Sequence, residues 1–194
     1  MKRLAIVAAL LAGAFAPADD AKPSRADAYF AMGCFWCAEA DMEKVPGVIR
    51  AVSGYTGGTT VKPTYEQVSA DGTGHYEAVR VIYNPTKVSY AKLLEVFWKN
   101  VDPFDAAGQF CDKGSSYRAA IFPVNAAQRA LAEASKAAVE KRFGKAVATG
   151  IVDKKPFYDA EGYHQDYADR NPIRYRFYRT GCGRDARLRE VWGG

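Results

Sequence analysis

Apolar residues run unbroken over Ala28-Tyr29-Phe30-Ala31-Met32, the pattern of a buried strand, and Gly33 ends the run. From Cys34 the spacing turns helical and continues to about Val45, where Pro46-Gly47 is a stop signal. Residues 47–55 alternate as a strand does: Val48, Arg50 and Val52 against Ile49, Ala51 and Ser53. A glycine-rich loop leads to a short helical piece over 65–69. A second alternating strand follows over 75–83 and stops at Asn84-Pro85. Ser89 is an N-cap for a helix over 90–100, in which Leu93, Leu94, Phe97 and Val101 recur at core-facing spacing. A long loop over 104–116 carries Cys111 and Asp112. The pattern then predicts a strand over 117–124, a helix from the Asn125 cap to Phe143, and a strand over 145–152.

Periodicity fails from Lys155 onward. An irregular tail is expected, wrapped over the domain with its aromatic rings buried. The flanking glycines of Gly181-Cys182-Gly183 predict a mobile segment. The order β-α-β-β-α-β, then α-β, indicates an α+β two-layer sandwich with a ferredoxin-like βαββαβ core, an extra helix and strand, and the C-terminal tail.

The first residues add a separate element. Met1-Lys2-Arg3 is a positive start, residues 4–16 are apolar or small, and Ala16-Pro17-Ala18 fits a cleavage site. Residues 1–18 are therefore expected to be a secretory signal peptide, and 19–27 a polar linker. Residues 28–194 are expected to form one domain, whose tail starts at about 155. Such a chain is exported, and periplasmic if bacterial, with no stable membrane association after cleavage. The apolar run is too short to span a bilayer comfortably, although an uncleaved anchor is the competing reading.

At 48% hydrophobic and 25% charged, the composition is that of a globular protein rather than a disordered one. The formal charge is +5, of which Lys2 and Arg3 supply two, leaving about +3. That is too mild to argue for a nucleic-acid partner. The arginines near the C-terminus read as a solvated face.

Four cysteines are present: Cys34, Cys37, Cys111 and Cys182. Cys34 falls where a strand hands over to a helix N-terminus, a place that favours a thiolate and a lowered pKa. Glu77 shares a strand face with Val79 and Val81. On that face it is either desolvated, which raises its pKa and lets it donate a proton, or a rim residue reaching water. Three chemistries compete. Cys34-x-x-Cys37 reads as a thiol–disulfide oxidoreductase pair. A four-cysteine zinc site has poor spacing. In the third, Cys34 attacks an electrophilic atom of a small substrate, beside an apolar notch of Phe35 and Trp36.

Gly33-Cys34-Phe35-Trp36, Gly54-Tyr55-Thr56-Gly57-Gly58, Pro63-Thr64-Tyr65, Gly72-Thr73-Gly74-His75-Tyr76-Glu77-Ala78-Val79 and Asp112-Lys113-Gly114-Ser115-Ser116-Tyr117-Arg118 occur in this order. Together they resemble peptide methionine sulfoxide reductase A. Pro156-Phe157-Tyr158 and Tyr163-His164-Gln165 add to the resemblance, which covers about residues 29–167. It implies reduction of methionine S-sulfoxide, free or in oxidised proteins, and so a part in protein repair under oxidative stress. Cys34 is then the nucleophile and Glu77 the acid. Tyr65 and Tyr117 donate to the sulfoxide oxygen, Asp112 helps through a water, and Phe35 and Trp36 hold the methyl group. No metal or organic cofactor is implied. The partner is a thioredoxin-like dithiol reductant.

The chain departs from many members at Cys37, where they have Gly, and at Cys111, where they have Asn. Three cysteines therefore compete to resolve oxidised Cys34. Cys182 ranks first, on the precedent of tail cysteines in the family, followed by Cys37 and Cys111. His75 is expected to position the start of its strand, and His164 to be a hydrogen-bonded packing residue.

Overall fold

The computed structural model describes residues 24–193. The expected signal peptide and the first part of the expected linker lie outside the described residues. β1 (Ala26–Ala31) begins inside that linker. Asp27 is tolerated in a strand because Arg80 on the neighbouring strand pairs with it at 2.9 Å, and because its carbonyl accepts from Gln128 at 2.8 Å.

After β1 come α1 (Phe35–Glu43), β2 (Val48–Thr56), α2 (Tyr65–Ser69), β3 (Tyr76–Tyr83) and α3 (Tyr90–Lys99). A small hairpin, β4 (Gly108–Gln109) with β5 (Asp112–Lys113), interrupts the long loop, and a 3-10 turn follows at Ser115–Tyr117. Next are β6 (Ala120–Ile121), α4 (Ala126–Phe143), β7 (Gly150–Ile151) and β8 (Tyr158–Asp159). Three helices close the chain: α5 (Tyr167–Arg170), α6 (Pro172–Gly181) and α7 (Arg184–Trp192).

The main sheet has the order β7-β6-β1-β3-β2-β8, with only the β6–β7 pair parallel. The architecture is a mixed α+β fold around this sheet. Alternation sets its two faces. Ala28 and Phe30 of β1, Ala51 and Tyr55 of β2, and Val79 and Val81 of β3 turn to one side. There they pack with Phe35, Ala38 and Met42 of α1 and Leu93, Leu94 and Phe97 of α3. Burying each large apolar side chain contributes roughly 2 kcal/mol. Phe30 and Phe97 stack at 5.4 Å in the middle of this layer. The opposite face carries Tyr29, Ala31, Ala78, Ala120 and Phe122. It is covered by irregular chain, with Phe157 edge-on to Tyr29 at 5.4 Å.

The helix caps follow the sequence reading. Ser89 accepts from the Lys92 N–H, and Asn125 accepts from the Gln128 N–H. Gly144 ends α4 with φ of 68°, in the left-handed region that glycine enters without cost. The strands predicted over 117–124 and 145–152 are much shorter. Residues 115–117 are drawn into the 3-10 turn instead, although Phe122 N–H to Tyr29 O and Val152 N–H to Ile121 O continue the pairing.

The C-terminal tail is corrected from irregular to helical. α6 has no buried residue, and Ile173 and Phe177 on it are largely exposed. It is held by polar contacts, chiefly Arg179 to Asp41 at 2.8 Å, so its sequence lacks the apolar stripe that signals a helix. Cys182 is not on a mobile loop. It caps α6, Gly183 turns the chain into α7, and Cys182 is bonded to Cys111.

Candidate active site

Gly33 (φ 82°) makes the turn from β1 into α1, and a Cβ there would lie 2.6 Å from Gln109 Cβ. Cys34 is the N-cap of α1, and its carbonyl accepts from the N–H groups of Cys37 and Ala38 at 3.2 Å. The first free N–H of the helix, that of Phe35, is taken by Glu77 Oε2 at 3.0 Å. The carboxyl group of Glu77, not the thiol, therefore takes the first N–H of the helix.

This reverses the expectation for Cys34. Its thiol is pushed well above its ordinary value, first by burial, then by its hydrogen bond with Cys37 and by the nearby Glu77 carboxyl; a hydrogen bond from Tyr178 opposes these. Cys37, one turn along α1, goes the other way and is held at about 7. The hydrogen bond from Cys34 lowers it most, burial opposes, and the charges of Arg184 and Arg179 lower it further. Both residues are buried and unbonded to any other cysteine.

Glu77 is 3% exposed, which rejects the rim reading. Burial pushes it up to about 8, against the lowering effect of the Phe35 N–H and a Tyr117 hydroxyl. Asp112 is raised by burial as well, with the Tyr178 hydrogen bond opposing.

A cavity of about 80 Å³ opens onto Cys34. Its walls bring together the residues picked from the sequence: Phe35 and Trp36 of α1, Tyr65 of α2, Glu77 of β3, Asp112 of β5 and Tyr117 of the 3-10 turn. Tyr65 and Tyr117 hydrogen-bond each other, and burial raises both phenols, so they remain donors. The N–H of Tyr65 is fixed by Glu161 Oε1 at 2.9 Å, while Tyr55 donates to Glu161 Oε2 at 2.8 Å. Trp36 stacks on Tyr167 at 3.7 Å and donates its indole N–H to His164 Nδ1 at 3.0 Å. His164 is thus hydrogen-bonded and packed. His75 holds the loop before its strand, through Gly58 N–H at 3.3 Å and Thr60 O at 2.8 Å.

One wall residue was missed. Tyr178 of α6 donates to Asp112 Oδ2 at 2.5 Å and reaches Cys34. The signal for it is its spacing of four from Cys182, which puts both on one face once the tail is read as a helix. Cys111 and Cys182 form a disulfide at the cavity rim, with Cys182 Sγ 3.9 Å from Asp112 Oδ2. That bond consumes two of the four thiols a zinc site would need.

Comparisons with known proteins give the family. Residues 26–194 match the family model described as peptide methionine sulfoxide reductase. The chain is 54% identical to the peptide methionine sulfoxide reductase MsrA 2 of Caulobacter vibrioides, over the whole of both chains. It is 51% identical to the MsrA of Bacillus subtilis, over 86% of this chain and 95% of that protein. Its fold is similar to reduced Mxr1 of Saccharomyces cerevisiae, with a TM-score of 0.74 and 31% identity over 80% of this chain and 89% of that one. Methionine sulfoxide reductase A of Corynebacterium diphtheriae is also similar, with a TM-score of 0.70 and 29% identity over 79% and 78% of the two chains. The matched family model and these relatives show that the chain reduces methionine sulfoxide and belongs to the peptide methionine sulfoxide reductase family.

Proposed function

We propose that the cavity binds the methylsulfinyl group of a methionine S-sulfoxide, with its methyl against Phe35 and Trp36. Its oxygen lies among Glu77, Tyr65 and Tyr117, and Asp112 helps through a water. The observation that carries this reading is Glu77, held protonated near neutral pH at the wall that also holds Cys34. A sulfoxide sulfur is a poor electrophile until its oxygen is protonated or strongly hydrogen-bonded. Glu77 lends its proton to the oxygen as Cys34 attacks the sulfur, and recovers a proton from the Cys34 thiol. Oxygen passes from the substrate to Cys34, methionine leaves, and Cys34 becomes a sulfenic acid.

A second thiol then displaces that oxygen as water and forms a disulfide. Cys182 is bonded to Cys111 in this structure, and Cys37 is the free thiol in contact with Cys34. Cys37 therefore takes precedence as the resolving residue, ahead of Cys182 and Cys111. An external dithiol of thioredoxin type returns the two electrons. The exposed Cys111 is where such a protein can reach the rim. The reading as a thiol–disulfide oxidoreductase fits less well, because both Cys34 and Cys37 are buried and the cavity admits only a small group.

The leader pattern supports export, to the periplasm in a bacterium, with repair of oxidised proteins there. The antiparallel order β6-β1-β3-β2, with α1 and α3 as the crossovers, supports a ferredoxin-like core.

Single-turnover methionine release tests the assignment. Cys34→Ser should release none, while Cys37→Ser and Cys182→Ser should each still release one equivalent. Mass mapping after one turnover should find Cys34 bonded to Cys37. A bond to Cys182 would transfer the resolving role, and release by Cys34→Ser would sink the mechanism.

A further inference from the structure

α1 turns Cys37 and Asp41, one turn apart, toward the C-terminal helices. Two arginines meet them there. Arg179 of α6 is neutralised, since it binds Asp41 at 2.8 Å and Asp185 at 2.7 Å. Arg184 of α7 is different. It is the largest fully buried side chain among the described residues. Its guanidinium donates to two carbonyls, Met32 O at 3.1 Å and Asn100 O at 2.7 Å, and lies over the Phe110 ring at 4.5 Å. Its nearest carboxylate, Asp41, is 3.9 Å from Nε, and Nε has no hydrogen-bond partner.

Arg184 is buried beside one carboxylate, Asp41, which it does not hydrogen-bond, so its charge is only partly offset there. The Met32 carbonyl holds it on one side and Asp41 lies on the other, and a Cβ on Gly33 would stand 3.8 Å from its Nη1, so it lies along the face of α1 that carries Cys37 and Asp41. The disulfide secures it, because Cys182 lies two residues before Arg184, and Cys111 follows the Phe110 ring that covers it.

We propose that Arg184 is a positioning residue that holds Cys37 as the thiolate ready to attack oxidised Cys34. The proposal rests on the reading of Cys37 as the resolving thiol. The other groups facing Cys37 are Cys34 at the start of α1, Asp41 on α1, Glu77 on β3, and Tyr175 and Arg179 on α6. Asp41, Glu77 and Tyr175 disfavour an anion there, while Arg184 and, less, Arg179 favour it. Arg179 is shared with two carboxylates, so Arg184 is the principal cation that holds it. With Cys37 ionised, its sulfur displaces the sulfenic oxygen, which leaves as water after taking up protons, and the Cys34–Cys37 bond forms.

Two measurements test this separately from the resolving role. In a Cys34→Ser background with Cys111–Cys182 intact, Cys37 is the one free thiol. Its ultraviolet thiolate absorbance, taken against Cys34→Ser/Cys37→Ser, gives its titration midpoint. Arg184→Met should move that midpoint upward by about one pH unit, a roughly tenfold loss of thiolate below it, and Arg184→Lys should restore part of the shift. An unchanged midpoint overturns the proposal. In the otherwise native protein, Arg184→Met should release its first equivalent of methionine at the normal rate and close the Cys34–Cys37 bond about tenfold more slowly near neutral pH. Equal slowing of both steps marks Arg184 as merely structural and overturns the proposal. A Cys34–Cys182 bond in the native protein overturns the resolving role of Cys37, while the titration still decides whether Arg184 holds its thiolate.

Discussion

The Phe35 N–H donates to Glu77 Oε2 across 42 residues of chain, at 3.0 Å. One strand and the first turn of one helix are thereby locked together at the cavity wall, where the proposed mechanism puts the acid. Glu77→Gln keeps an acceptor for this N–H and removes the proton donor. Activity should fall roughly 100-fold or more, the scale of a lost general acid. In the native enzyme the first step should be lost as pH rises through about 8, where Glu77 ionises. A first step that persists at full rate well above that pH would remove Glu77 from the role.

The same carboxyl carries a stability cost with a definite sign. Its pKa is raised on folding from 4.5 to about 8. Below 4.5 the folded and unfolded chains hold the proton alike, and stability is lost as pH rises from there through about 8. Glu77→Gln should therefore become more stable than the native chain as pH rises, by on the order of 3 kcal/mol near neutrality. Thermal melts at acid and neutral pH check this, and equal Tm differences at both would contradict it.

Trp36 is fixed on both sides, by the Tyr167 ring and by His164 Nδ1. Burial keeps His164 below its usual pKa, hence neutral, with Nδ1 free to accept. His164→Phe preserves the packing and leaves the indole N–H unpaired, a loss of about 1 kcal/mol. KM for methionine sulfoxide should rise about fivefold with kcat nearly unchanged, because the wall that holds the methyl group loosens while the acid and nucleophile stay in place. A fall in kcat alone would show that His164 acts on the chemistry instead.

Gly54 fixes the far edge of the sheet. A Cβ there would stand 2.4 Å from both Phe157 Cζ and Tyr158 O. The second contact is backbone and cannot yield. Gly54→Ala should push β8 off β2, lower stability by about 2 kcal/mol, and disturb Gln165, which hydrogen-bonds Ser53 beside it. Hydrogen exchange at Ala160, whose N–H donates to Ser53 O, should then accelerate.

Much of this site was legible because its parts obey local rules. The alternation of Glu77 with Val79 and Val81 puts the carboxyl on the core face, though it leaves open burial or a rim position, and Gly33 marks the turn that presents Cys34. The thiol's ionisation was not legible. Placing Cys34 at a helix N-terminus says nothing of Glu77, which arrives from β3 and takes the Phe35 N–H. The tail was misread for a related reason. α6 is held by two polar contacts, of Arg179 and Tyr178, and by the disulfide at its cap residue Cys182, all to residues far away in sequence, and its apolar Ile173 and Phe177 face solvent. A period in hydrophobicity cannot report a helix stabilised in that way, nor the wall residue, Tyr178, that it carries.

The Cys111–Cys182 bond joins residues 71 apart and ties the helical tail to the loop that holds Asp112. Closing a loop of that length stabilises a fold by about 4 kcal/mol through the entropy of the unfolded chain, as an upper figure. Because the two sulfurs act as one unit, Cys111→Ser and Cys182→Ser should lower Tm by equal amounts, and the double variant by no more than either. Tyr178 keeps its hydrogen bond to Asp112 by its own place on α6, so both variants should still release one equivalent of methionine in a single turnover. Unequal losses of Tm would show that one cysteine has a further partner. A lost first turnover would show that the bond itself shapes the cavity.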